Sequence, residues 1–282
     1  AGTKLRDAPV DVLLIDEAGQ LALVDAVVAS MAADSVVLLG DPQQLPQVAQ
    51  ATHPGGSGAS ALGHMLGDDE TMPDARGVFI HETRRMHPDV CRFISERIYQ
   101  GRLASHADCT VQGTEFGTGL RWIEVDHEGC STESGEEAEV VAAQIGAMLG
   151  RTWTDKNGAT QVIGVGDVMV VAPYNDQVRL LRERLDSSAL TRGVSVGTVD
   201  KFQGRQAPIV FFTMTSSSAE DMPRGSDFLF SRNRLNVAVS RAQCLAYLVC
   251  TEQLLRSRAK TVEEMHLIAT LCAFVEYADP TA

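Results

Sequence analysis

Short apolar runs that stop abruptly at polar residues set what this chain can fold into. Val12-Leu13-Leu14-Ile15 stops at Asp16-Glu17, and Val36-Val37-Leu38-Leu39 stops at Gly40-Asp41. Val168 to Ala172, Ile209 to Met214 and Cys244 to Cys250 repeat the pattern in the second half. Runs this short suit strands buried on both faces of a parallel sheet, and the first is also β-branched at both ends. Between the first two lie Leu21, Val24, Val28 and Met31, apolar residues at helical spacing. Strand, helix and strand joined by short links make a parallel crossover, so the fold class reads as α/β.

A chain of 282 residues holds about two domains. We place the boundary near His81, giving a partial first domain over residues 1–81 and a second over 82–282. Within the first, HPGGSG (His53 to Gly58) reads as a loop and Gly77 to Ile80 as a third strand. In the second, Pro88 can open a helix, and Gly101 to Thr118 reads as loop. Ser134-x-x-Glu137 has the spacing of a capping box at a helix start.

Charge bears on partners. The net charge of −13 argues against nucleic-acid binding over the whole surface, but phosphate contacts are local and need few residues. Its distribution is uneven: residues 1–80 carry 3 Lys/Arg against 11 Asp/Glu, whereas 192–241 carry 7 against 4. No apolar stretch approaches the roughly twenty residues that span a bilayer, and the first residues lack a signal-peptide core, so we expect a cytoplasmic protein and no membrane partner. The six cysteines form no CxxC pair and read as reduced thiols. His106-x-x-Cys109 and His127-x-x-Cys130 can be drawn as a zinc tetrad, but the sequence between them reads as a strand, which favours unliganded side chains.

In open parallel sheets ligands bind beyond the carboxyl ends of the strands. Asp16 and Glu17 stand at such an end, where one carboxylate can hold a hydrated Mg²⁺ and the other can orient a water toward phosphate. On the dipeptide alone, two solvated acids at a strand end would explain as much. The later motifs decide for the chemistry.

DEAG, GDPQQLP, RRMHP, PYNDQ, GTVDKFQGRQ and NRLNVAVSRA follow one another between Val10 and Cys250. In this order they resemble superfamily 1 helicases, most closely the 5′-to-3′ branch with the nonsense-mediated-decay helicases. The resemblance implies two RecA-like, P-loop-NTPase-type parallel-sheet domains, the first truncated here. It also implies ATP as substrate, Mg²⁺ as cofactor, and single-stranded DNA or RNA as partner. Carried over, Asp16 would hold Mg²⁺, Glu17 would orient the hydrolytic water, and Gln44 would sense the γ-phosphate. Arg85 and Arg241 look like the arginines that compensate charge in phosphoryl transfer. Gly204 would let backbone approach the nucleotide, and Gln206 stands where the family commonly has a ribose-binding Glu. Arg84 stands where the family often has an adenine-stacking Tyr; a guanidinium can stack as well. Pro173, Tyr174 and Thr198 resemble positions beside the nucleic-acid backbone.

One family element is missing: the chain has no Gly-Lys dipeptide, hence no GxxxxGK[ST] phosphate loop. We therefore expect the C-terminal part of a longer helicase, inactive alone, with exposed apolar surface that favours self-association. The rival readings are a non-catalytic binding or scaffold module derived from a helicase, and the motor part of a helicase–nuclease fusion. A scaffold would not need Asp16, Glu17, Gln44, Arg85 and Arg241, and the chain has no nuclease motif.

Overall fold

The computed structural model describes residues 8–46 and 58–278; most of the HPGGSG loop, residues 53–57, lies outside them. The chain forms two compact units, Ala1–Phe79 and Ile80–Ala282.

In the first unit, β1 (Val10–Ile15) pairs in parallel with β2 (Ala33–Leu38), Leu13 opposite Val36 and Ile15 opposite Leu38. Helix α1 (Leu23–Ser30) makes the crossover. Helix α2 (Ala61–Leu66) starts at Ser60, whose hydroxyl accepts the Gly63 N–H as an N-cap. Two expectations fail here. The Val12 to Ile15 strand is not buried on both faces: Leu14 is 66% exposed, because among the described residues the sheet has two strands and little packed over them. Gly77 to Ile80 is not a strand. No described strand offers it a ladder, and Val78 and Ile80 stand in solvent.

Two small sheets of the second unit pair β3 (Glu82–Thr83) with β4 (Ala104–Ser105), and β5 (Gly113–Thr114) with β7 (Thr152–Thr154) and β8 (Thr160–Val162). The stretch read as loop, Gly101 to Thr118, thus contributes two short strands and a 3₁₀ turn. The main sheet is built from β6 (Gly119–Glu124), β9 (Val168–Ala172), β10 (Ser195–Thr198), β11 (Ala207–Thr213) and β12 (Ala242–Cys250). These five strands run parallel in the order β10-β9-β11-β12-β6. Here the apolar runs are buried as expected; every residue of β9 and β11 is covered. Phe211 lies opposite Val170 and Tyr247 in register, and its ring stacks on Tyr247 at 4.5 Å. Helix α3 (Pro88–Ile98) has Pro88 in its first turn and buries Val90, Phe93 and Ile94. Helices α4 (Gly135–Met148) and α5 (Asn175–Asp186) send Val141, Ile145, Leu181 and Leu185 into the core with β9 and β11.

The capping box forms only by half. Ser134 Oγ accepts the Glu137 N–H at 3.1 Å. The Ser134 N–H, however, donates to Gln177 Oε1, because the Glu137 side chain turns inward. Its carboxylate accepts the Thr215 N–H on both oxygens at 3.0 Å and lies 3.1 Å from His127 Nε2. His127 Nδ1 lies 2.8 Å from Ser217 Oγ. Both nitrogens of His127 are thereby engaged by protein groups and not offered to a metal. Burial raises the Glu137 carboxyl above its ordinary range.

Candidate nucleotide and nucleic-acid sites

In the first unit the acid pair and the GDPQQ segment leave adjacent parallel strands at their carboxyl ends. Their turns interlock by backbone. The Ala18 N–H donates to Leu39 O at 2.8 Å, and the Leu39 N–H donates to Ile15 O. Both flanking glycines are required: a Cβ on Gly19 would sit 2.7 Å from Asp41 O, and one on Gly40 would sit 2.9 Å from Ala18 N. Gly40 also has φ +149°. Glu17 itself is in the left-handed region at φ 53°, a conformation costly for a residue with Cβ and enriched at functional sites.

Asp16 Oδ1 accepts the Glu17 N–H at 2.8 Å, fixing an exposed carboxylate at the strand end. Gln44 is held within its own turn, its Nε2 donating to Asp41 Oδ2 at 2.9 Å. These residues fit a hydrated Mg²⁺, which keeps several waters and takes one or two protein carboxylates beside phosphate oxygens. No group of three or more His, Cys, Asp or Glu that could cage an ion occurs among the described residues.

In the second unit three distant motifs meet at the amino ends of β11 and β12. Arg85 Nε donates to Gln206 Oε1 at 3.0 Å, and Arg85 Nη1 donates to Ser240 O at 2.9 Å. The Ala207 N–H donates to Arg241 O, and Arg241 Nη1 reaches Arg205 O at 3.5 Å. Arg241 ends helix α6 (Arg232–Ser240) and is 2% exposed, its Nε donating to Val237 O. It is therefore not a solvated helix-end arginine. Burial lowers the Arg85 pKa from its ordinary value, yet a guanidinium stays charged. Arg84 is exposed and 3.8 Å from Glu82. Gly204 has φ +75°, and a Cβ there would meet nothing within 4 Å, so the chain needs glycine at this position for its backbone angle alone. Sequence reading missed Gln112. It is buried and donates from Nε2 to Arg85 O, fixing the backbone that presents the arginine; a lone Gln in a polar stretch gave no signal.

The other group lies at the opposite, carboxyl ends. Thr198 ends β10 and is half-buried. Pro173 and Tyr174 follow β9 and are both buried; the Tyr174 ring packs on Phe228 at 5.6 Å. Arg224 and Arg234 lie 3.8 and 4.2 Å from the centroid of that Phe228 ring, cation–π contacts that the motifs did not mark.

Residues 65–253 match the family described as AAA domain, and residues 3–55 match the viral superfamily 1 RNA helicase core domain. Over 260 residues the chain is 28% identical to the DNA-binding protein SMUBP-2 of Rattus norvegicus, covering 88% of this chain and 26% of that protein. It is 27% identical over 263 residues to the DNA replication ATP-dependent helicase/nuclease JHS1 of Arabidopsis thaliana, covering 83% and 18% respectively. It is 26% identical over 259 residues to helicase sen1 of Schizosaccharomyces pombe, covering 82% and 14%. The chain thus spans about a quarter or less of the length of these relatives.

Proposed function

The chain belongs to the AAA domain family, and from that premise we propose that it is part of an ATP-dependent superfamily 1 helicase acting on single-stranded DNA or RNA. In this reading the two units are the two RecA-like domains. Asp16, Glu17 and Gln44 supply the Mg²⁺, water and γ-phosphate contacts from the first. Arg85, Arg241, Gly204 and Gln206 serve the nucleotide from the second, with Arg84 at the base. Of the three residues given to the strand path, Thr198 faces it, and the buried Pro173 and Tyr174 support it from beneath. No helix among the described residues is long and apolar enough to cross a membrane, and a reducing, cytoplasmic setting suits the six free cysteines.

The observation that carries the reading is the bond from Arg85 to Gln206 across 121 residues of sequence. It joins the RRMHP and GTVDKFQGRQ motifs at one end of the sheet, beside Arg241. A planar guanidinium held there can make paired hydrogen bonds to a phosphate, and charge compensation of this kind is the main catalytic resource of phosphoryl transfer.

The test has two arms. The 282-residue polypeptide is expected to bind a fluorescent single-stranded oligonucleotide, with affinity falling as salt rises. It is expected to turn over no ATP above buffer, because without a GxxxxGK[ST] loop the β- and γ-phosphates lose their amide cradle and lysine. Turnover that disappears in Glu17→Gln would overturn the second expectation, and absence of strand binding would count against the whole reading.

The same polypeptide is expected to self-associate. Val12, Leu14, Val24 and Val28 of the first unit are each more than half exposed, on a two-stranded sheet and its crossover helix. Apolar surface and sheet edges of this kind pair or aggregate. Sedimentation velocity checks this; a single monomer peak across a tenfold concentration range would refute it.

A further inference from the structure

Two cations of the second unit converge on one backbone oxygen at the edge of the sheet. Arg182 Nη2 donates to Val196 O at 2.9 Å, and Lys201 Nζ donates to the same oxygen at 3.1 Å. Val196 belongs to β10, the outermost strand. The two side chains come from different elements, Arg182 from α5 and Lys201 from the 3₁₀ turn that follows β10. Gly197 makes the arrangement possible. A Cβ there would lie 2.6 Å from Lys201 Cδ, so the lysine stem folds back over the bare glycine.

Neither cation has an ion-pair partner among the described residues, whereas the neighbouring Arg179 is neutralised by Glu133 and Glu183. Desolvation, and after it the nearby Arg182 and Arg205 guanidinium groups, lower the Lys201 pKa. Both cations line a cavity of about 500 Å³ together with Thr198, Arg179 and two acids, Glu183 and Asp186. The shared carbonyl holds the two exposed donors in place, and neither forms an ion pair with those acids. A phosphate group supplies what is missing: two or more oxygens and negative charge, matched to one fork donor and one ammonium.

We propose that Arg182 and Lys201, seated over Gly197, form a phosphate-binding site at the outer edge of the second unit, taking a backbone phosphate of the bound strand next to Thr198. The site rests on the strand-binding reading for its occupant but not for its chemistry, since inorganic phosphate presents the same oxygens.

The experiment uses the 282-residue chain, the double variant Arg182→Gln/Lys201→Gln, and Gly197→Ala, each first checked for an unchanged thermal melt. Two probes are titrated: a fluorescent oligothymidylate by anisotropy over a range of salt, and inorganic phosphate by chemical-shift change. The double variant is expected to bind the oligonucleotide roughly tenfold more weakly at low salt, with the slope of log K against log salt reduced by about 1.4 for two lost single-strand contacts. Gly197→Ala, which displaces the lysine without removing charge, is expected to lose part of the affinity. If the wild-type chain binds oligonucleotide and the double variant binds it with the same affinity and slope, the site is refuted while the strand-binding reading stands. If phosphate binds in a manner that depends on Arg182 and Lys201 but oligonucleotide does not bind, the site stands and the strand-binding reading falls. If neither probe depends on the two residues, the proposal is wrong.

Discussion

Glu137→Ala is expected to destabilise the second unit by about 2–6 kcal/mol, since two buried donors lose their acceptor at about 1–3 kcal/mol each. Glu137 and His127 have fully buried side chains. The carboxylate is the acceptor for the Thr215 N–H and the partner of His127 Nε2. With Nε2 carrying its proton toward Glu137, Nδ1 accepts from Ser217 O–H, and Ser217 Oγ in turn accepts the Cys130 N–H at 2.9 Å. Truncation strands an amide and an imidazole N–H in the interior, each at the cost of its desolvation. It also releases Thr215, a residue with φ 72°, from the contact that holds it in the left-handed region. Glu137→Gln keeps an acceptor and should cost markedly less. Urea unfolding followed by circular dichroism reads both, against Glu139→Ala on the exposed face of the same helix. Equal midpoints for Glu137→Ala and Glu139→Ala would contradict the role given to this network. The order Ser–His–Glu is that of a hydrolase triad, but Ser217 is 1% exposed and bonded on every side, so no substrate reaches it and the three residues act as a strut.

Glu17→Gln is the second large effect. In a longer protein that carries this sequence together with a GxxxxGK[ST] loop, ATP turnover is expected to fall by about 10²–10⁴-fold, the usual contribution of a positioned general base. Gln matches Glu in size and can still hydrogen-bond a water, but it cannot take its proton. Nucleotide and strand binding should therefore survive. Asp16→Asn should differ, weakening Mg²⁺-dependent nucleotide binding itself. Steady-state turnover and oligonucleotide anisotropy measured on the same preparations separate these cases. Loss of strand binding together with turnover in Glu17→Gln would argue that the residue supports the fold and not the chemistry.

The placement of Asp16 and Glu17 at a strand end was legible from local pattern; the roles proposed for them and for Gln44 came from the order of the motifs, not from any one stretch. The parallel sheet of the second unit was legible for the same reason: β9, β11 and nearly all of β12 are short, apolar and buried. Readings failed where the decisive partner is remote. Gly77 to Ile80 has a strand's composition, but a strand exists only against a neighbour, and no described one lies beside it. Glu137 has the spacing of a capping-box acid, yet Thr215, far along the chain, offers it a buried N–H that the helix start cannot match. Gln112 and Arg182 belong to no short pattern, and Lys201 stands in GTVDKFQGRQ without a role that the motif assigns; their roles arise from a carbonyl or a backbone contributed by another element.

The segment from Val199 to Gln206 has a mechanical consequence. Thr198 closes one end of the sheet and Gln206 opens the other, and a single 3₁₀ turn covers the distance between them. Phe202 pins the end of that turn in the interior, and Gly204 is the segment's one hinge of unusual backbone angle. Thr198 and Gln206 are thus tied by eight residues of chain, and Gln206 is tied in turn to Arg85. Under the proposed helicase function this short tie would couple the strand site to the nucleotide site, with Phe202 as its anchor in the core.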